Sequence, residues 1–164
     1  MQNPAANLYT AILAIIDEQM KEIRYASQDL GQLDFYDEKP PVSFPAALID
    51  IDIPDFTDAG NACQLATANV TIRLAHTTYS DVSNLAPSDV RNLGLKLLDL
   101  EFKLRSILHT WQPDLEDVGH LMCAGIVTEK RDDNIRVRQL SFTTGIQYDA
   151  NTIKLSKTPF QFLS

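Results

Sequence analysis

The stretch Gln64-Leu65-Ala66-Thr67-Ala68-Asn69-Val70-Thr71-Ile72-Arg73-Leu74-Ala75-His76 decides how this chain is read. Ala68, Val70, Ile72 and Leu74 fall on one side of an extended backbone, and Asn69, Thr71 and Arg73 on the other. Successive side chains of a strand point to opposite faces, so this alternation predicts a strand with one face buried. Upstream, Leu48-Ile49-Asp50-Ile51-Asp52-Ile53 alternates isoleucine with aspartate and stops at Pro54, which cannot donate into a ladder. The acidic segment Asp55 to Gly60 reads as a turn-like loop, around which the two runs would pair antiparallel.

Helical periodicity flanks this pair. Asn3 suits an N-cap and Pro4 a first helical position, where the missing N–H costs nothing. Leu8, Ile12, Ile15, Ile16, Met20 and Ile23 then form one apolar stripe that fades after Arg24. Residues 28–43 read as a polar connection, and Pro40-Pro41 favours an extended arm there. A second polar connection covers 77–86. Beyond it a long helix is expected from about Pro87 to Thr110, with Asp89 at the positive end of its dipole. Its apolar residues, Val90, Leu93, Leu97, Leu98, Leu100, Leu104, Ile107 and Leu108, cover a face wide enough for burial by the sheet and by a second subunit. Gly94 in that helix implies a close approach by another backbone.

A hairpin closes the pattern: Met122 to Lys130, a turn at Asp132-Asp133-Asn134, and a longer strand from Ile135 to Tyr148. Residues 149–164 read as an extended C-terminal tail, whose apolar end at Phe160, Phe162 and Leu163 either packs on a neighbour or adds a short strand. Helices adjoining runs of strands, without regular alternation, indicate an α+β class. The expectation is one α+β domain over residues 1–164, with a mostly antiparallel sheet of about four strands and two main helices on one face.

Composition narrows the function. Of 164 residues, 45% are hydrophobic, which excludes a disordered chain. No apolar run reaches the length of about 18 residues that a membrane span needs, and no secretory signal is expected. The formal charge of −8 opposes non-specific nucleic-acid binding by the surface as a whole. That charge is uneven: residues 1–80 carry four basic side chains against eleven acids, and residues 81–164 ten against eleven.

No constellation for catalysis emerges. There is no G-x-S-x-G, no phosphate-cradling glycine loop, and no active-site context around Cys63 or Cys123, which are expected to be free thiols unless space brings them together. His76, His109 and His120 have no fixed partner in the sequence. His120-x-x-Cys123 offers two close metal ligands where structural zinc takes four. Asp50, Asp52, Asp55 and Asp58 lack the glycine and glutamate positions of a calcium loop, so they read as a solvated face or as charges that steer a partner. No cofactor is expected. Lys130, Arg131, Arg136 and Arg138 flank the hairpin turn, with Arg136 and Arg138 on one strand face. They read either as a solvated hairpin or as contacts to an acidic surface, a partner's or that of residues 29–58 in a neighbouring copy. Both charge clusters are therefore candidate subunit or partner contacts.

Four local patterns carry a family resemblance: Asn7-Leu8-Tyr9-Thr10-Ala11-Ile12 in the first helix, Asp29-Leu30-Gly31-Gln32-Leu33 before the proline-containing arm, Phe44-Pro45-Ala46-Ala47-Leu48-Ile49 at the start of a strand, and Leu140-Ser141-Phe142 in a late strand. Together, over about residues 5–150, the chain resembles the small tail-terminator, or tail-completion, proteins of long-tailed phages and prophages. The resemblance implies a non-enzymatic assembly role. Such proteins form rings, commonly hexameric, on the head-proximal end of the tail tube, stop its growth and present a surface to the head connector. The implied partners are further copies of the chain, the tail-tube protein and the head-connector protein, with no membrane and no sequence-specific nucleic acid. The implied location is the virion tail, and the host cytoplasm before assembly. No functional residue carries over, because the family has no fixed site motif. Two other classes remain open: another neck or connector protein of such a particle, and a monomeric α+β domain of enzymatic or ligand-binding function.

Overall fold

The Asn3 side chain accepts from the backbone N–H of Ala5 at 3.0 Å and of Ala6 at 3.5 Å, satisfying donors that have no partner inside a helix. Helix α1, Pro4–Gln19, follows in this computed structural model, which describes residues 3–35, 40–77 and 80–149. Six strands and one more helix complete the order: β1 Tyr25–Gln28, β2 Ala46–Asp52, β3 Phe56–Gly60, β4 Cys63–Thr77, α2 Ser88–Leu108, β5 Met122–Glu129 and β6 Ile135–Asp149. The expected C-terminal tail, apart from Asp149, lies outside the described residues.

The period-2 stretch is the centre of the sheet. Strand β4 pairs along its whole length with β6, from Cys63 opposite Asp149 to Thr77 opposite Ile135. Its other edge is shared. β2 pairs with Asn69 to Ala75, and β3 with Cys63 to Ala66. Pro54 stands where the chain leaves the first ladder and before it enters the second, a position that asks no N–H of it. The sheet order is β1-β2-β4-β6-β5, with β3 attached to β4.

The α+β class and the antiparallel pairing of the two central runs hold. The strand number is corrected. The sheet has six strands rather than about four, and it is mostly antiparallel as expected, with β1 alone running parallel to its neighbour β2. Residues 25–28, where the helical stripe has faded and the expected polar connection begins only at Gln28, are too short and too polar to alternate visibly. They become a strand because the exposed edge of β2 supplies the hydrogen bonds. Residues 56–60, read as a loop, form a strand for the same reason: β4 outruns β2 and leaves its edge open.

Both helices cover one sheet face. Leu8, Ile12 and Ile16 of α1 and Leu97, Leu100, Leu104 and Leu108 of α2 are buried with Val70, Ile72, Leu74, Leu140 and Phe142. The opposite face is different. At the Thr77 end it holds a small cluster of Leu33, Val42, Leu48, Ala75, Ile135 and Val137. Hence Ile72, Arg73, Leu74 and Ala75 are all buried, although they point alternately up and down. Just after β1, Gln32 and Leu33 are buried over this end. At the other end the same face is open, and Thr67 and Asn69 are exposed.

Helix α2 shows why Gly94 is a glycine. A Cβ there would overlap Val82 and lie 3.1 Å from the carbonyl oxygen of Ser80. The segment before the helix therefore runs directly across it, the close backbone approach expected at that position.

Candidate interaction surfaces

Arg73 projects from the non-helical face of β4 into a ring of carboxylates. Its guanidinium donates to both oxygens of Asp34 at 2.8 and 2.9 Å, to both oxygens of Glu129 at 2.7 and 3.0 Å, and to Asp29 at 3.2 Å. Two-pronged pairing of this kind fits the planar guanidinium to a carboxylate. Arg131 extends the cluster. It donates to Glu129 at 2.7 Å, to Asp34 at 3.1 Å, to Asp133 at 2.6 Å and to the Leu33 carbonyl. The Arg73 guanidinium holds the Asp34 carboxyl below the usual carboxylate range, against its partial burial and with help from Arg131. Arg131 does the same for Asp133. At Glu129, burial pushes the carboxyl up, but Arg73 and Arg131 together bring it below its ordinary value. The cluster ties the turn after β1 and the β5–β6 hairpin to the central strand.

This use of Arg73 was not legible in the sequence, where it counts as one polar residue on a solvated strand face. Its partners lie 39, 44 and 56 residues away in the chain. A long charged side chain among the short polar residues Asn69, Thr71 and Thr77 was the available signal.

The basic cluster at the hairpin divides in two. Arg131 is bound up with the carboxylates just described. Arg138 pairs with Glu101 of α2 and donates to Thr128. Lys130 and Arg136 are exposed, and among the described residues neither forms an ion pair. All four line one wall of an open groove of about 580 Å³, and the opposite wall is α2, with Leu95, Leu97 and Leu98.

The outward side of α2 is unusually apolar. Leu95 and Leu98 are partly exposed, and Phe102 retains 69% of its surface. With Arg91 and Arg105 these residues are spaced four, three, four and three apart, the repeat that keeps a seam on one side of a helix. The wide stripe expected from sequence is thus split: Leu97, Leu100, Leu104 and Leu108 are buried against the sheet, while Leu93 and Leu98 remain about half exposed, and Leu95 and Phe102, outside that stripe, are exposed as well.

The acidic run starts beside the middle of β4, with Asp50 opposite Thr71 and Asp52 opposite Asn69, and reaches its Cys63 end at Asp58, opposite Gln64. Asp50 is half-buried on β2, where burial and then the neighbouring Asp52 charge push its carboxyl up. Asp52, Asp55 and Asp58 are exposed. Between them Phe56 stacks edge-on against Tyr148, with ring centroids 5.3 Å apart, and remains 49% exposed. Leu65 is similarly exposed on the adjoining strand.

Two of the histidines make local backbone contacts. His109 Nδ1 accepts from the Cys123 backbone N–H at 3.2 Å, and His120 Nδ1 lies 3.1 Å from the Thr110 carbonyl oxygen. These contacts join the end of α2 to the start of β5. Cys63 and Cys123 are both free thiols. Among the described residues no group of three or more His, Cys, Asp or Glu side chains is placed to hold a metal ion. No described helix is long and apolar enough to cross a membrane.

No family model matches this chain, and no curated protein matches its sequence. A solved structure does resemble it. A chain from the virion of a native gene transfer agent particle superposes with a TM-score of 0.55 at 10% sequence identity. The match covers 90% of this chain and 100% of that one. At that identity the likeness is one of fold, and it extends over nearly the whole α+β arrangement described above.

Proposed function

We propose that this chain is a non-enzymatic assembly subunit of a phage-like particle, one that caps the tail tube as a ring and joins it to the head connector. The observation that carries the reading is the fold shared, over 90% of this chain, with a chain of a gene transfer agent virion. The local resemblance to tail-terminator proteins supports the finer role. So does α2, whose outward Leu95, Leu98 and Phe102 resemble the uncovered half of an interface rather than a solvated helix face. Its partners in this reading are further copies of itself, the tail-tube protein and the connector protein, and it is located in the virion tail.

The test is tube assembly in vitro. Tail-tube protein from the same source is polymerised with and without the purified chain and inspected by electron microscopy. Short tubes of uniform ends, each closed by a ring containing the chain, are expected. Tubes that elongate unchanged, with the chain left in solution, would overturn the capping role. If the chain instead decorates only purified connector complexes, it is a neck component and the terminator reading falls.

A further inference from the structure

The hairpin cations and the acidic β3 segment lie towards opposite ends of β4. Arg136 stands opposite His76, Phe56 opposite Ala66 and Asp58 opposite Gln64. Ten to twelve residues of β4 therefore separate the basic groove from the acidic end, about 35–40 Å at the rise of a strand. Each end combines the same two kinds of chemistry in complementary form. The groove has an apolar wall, Leu95 and Leu98, beside the exposed Lys130 and Arg136, which form no ion pair among the described residues. The far end has the exposed carboxylates Asp55 and Asp58 around two half-exposed apolar side chains, Phe56 and Leu65, and the exposed Asp52 leads towards it from opposite Asn69.

We propose that the groove between α2 and the β5–β6 turn is the receiving half of a head-to-tail contact, and that its occupant is the Asp52–Asp58 end of a second copy of this chain. The inference rests on the assembly reading above and supplies the surfaces that reading lacks. Copies joined through unlike patches form a heterologous contact, and a heterologous contact closes into a ring when its rotation is right. Two like patches meeting face to face would place Lys130 and Arg136 against themselves, or three carboxylates against three. Opposite signs at opposite ends select the head-to-tail arrangement and reject both alternatives. The structure also sorts the eight charged candidates. Arg131 and Arg138 spend their charge within the chain and shape the groove. Asp50 is half-buried. Lys130, Arg136, Asp52, Asp55 and Asp58 are left to meet a neighbour.

The experiment is a charge swap read by sedimentation velocity over a concentration series from micromolar to about millimolar. One variant carries Lys130→Glu and Arg136→Glu, the other Asp55→Lys and Asp58→Lys. All four positions are exposed, and circular dichroism with a thermal melt verifies that each variant is folded. Each variant alone is expected to need at least about tenfold more protein than wild type to associate, because like charges then face each other. An equimolar mixture of the two is expected to recover association at near wild-type concentrations, as assemblies in which the two chains alternate, because each groove then meets an end of opposite sign on the other chain. A Leu98→Ser variant, which alters no charge, is expected to weaken association as well.

Several results would overturn the proposal. One is a wild-type chain that stays monomeric up to the highest concentration. Another is association indifferent to both reversals. A third is a mixture that fails to recover while each variant is folded. If the reversals leave self-association intact but abolish capture by tail-tube protein, the groove belongs to that protein and the self-contact is wrong, while the capping role survives. If the swap behaves as expected but tube assembly is unaffected by the chain, the contact stands and the tail role falls.

Discussion

Replacing Arg73 with Met removes the guanidinium but keeps an unbranched stem of similar bulk in the same place. Five hydrogen bonds to Asp29, Asp34 and Glu129 disappear. Arg131 remains, but it already serves Asp34, Glu129 and Asp133. Removing one member of a buried ionic cluster costs about 3–5 kcal/mol, mostly because the remaining charges are left unpaired. The Arg73 side chain is only 11% exposed, whereas that of Asp34 is 38% exposed, so water screens part of the loss. The low end, about 3 kcal/mol, is therefore expected at neutral pH. With a urea slope of about 2 kcal/mol/M, the unfolding midpoint should fall by about 1.5 M.

The same substitution has a pH signature. Asp34 and Glu129 are held below their ordinary carboxylate values in the folded chain, so their pairing stabilises the fold above the unfolded-state value. That contribution is lost as pH falls through the depressed folded value. The gap between wild type and Arg73→Met should therefore narrow as pH is lowered below about 4. Urea titrations followed by circular dichroism at neutral and acidic pH measure both effects. A midpoint shift under about 0.5 M at neutral pH, or a gap that does not change with pH, would refute the reasoning.

Two further substitutions test other parts of the fold. Gly94→Ala raises helix propensity, yet its Cβ meets Val82 and the Ser80 carbonyl oxygen, so it should destabilise by about 1–3 kcal/mol; a gain in melting temperature would show that the 80–82 segment yields freely. Asp50→Asn should leave the fold at least as stable at neutral pH, by up to about 0.5 kcal/mol, because burial and Asp52 disfavour the ionised form while an amide oxygen can still accept from Ile51 N–H. The sign follows from a raised folded value. The ionised group burdens the fold at high pH and is relieved as pH falls, so any advantage of the variant should vanish below about pH 4, as chemical denaturation at both pH values would reveal.

Local periodicity carried much of the architecture. The alternation in Gln64–His76 located β4, the Ile-Asp alternation located β2, and the 3.6-residue stripes located both helices. The N-cap at Asn3 and the close approach at Gly94 were legible because each depends on geometry within a few residues or on a single missing Cβ. Strands β1 and β3 were not legible. Tyr25–Gln28 and Phe56–Gly60 are short segments that become strands only when a neighbour's edge offers them hydrogen bonds. The sequence placed basic residues around the hairpin turn, but it could not say that Arg131 and Arg138 would be occupied by Glu129 and Glu101 while Lys130 and Arg136 would not.

The sequence by itself determined which residues seek water and which avoid it along each segment, and hence two amphipathic helices and a core of alternating strands. Those preferences depend on residues close together in the chain. The tertiary structure alone decided three things. It buried Arg73 among carboxylates drawn from distant parts of the chain. It split the apolar stripe of α2 into a covered side and an open side. It set the acidic β3 segment and the basic hairpin towards opposite ends of β4. Each depends on how far apart segments lie after the sheet forms, a distance fixed by strand register and helix placement rather than by any local run of residues.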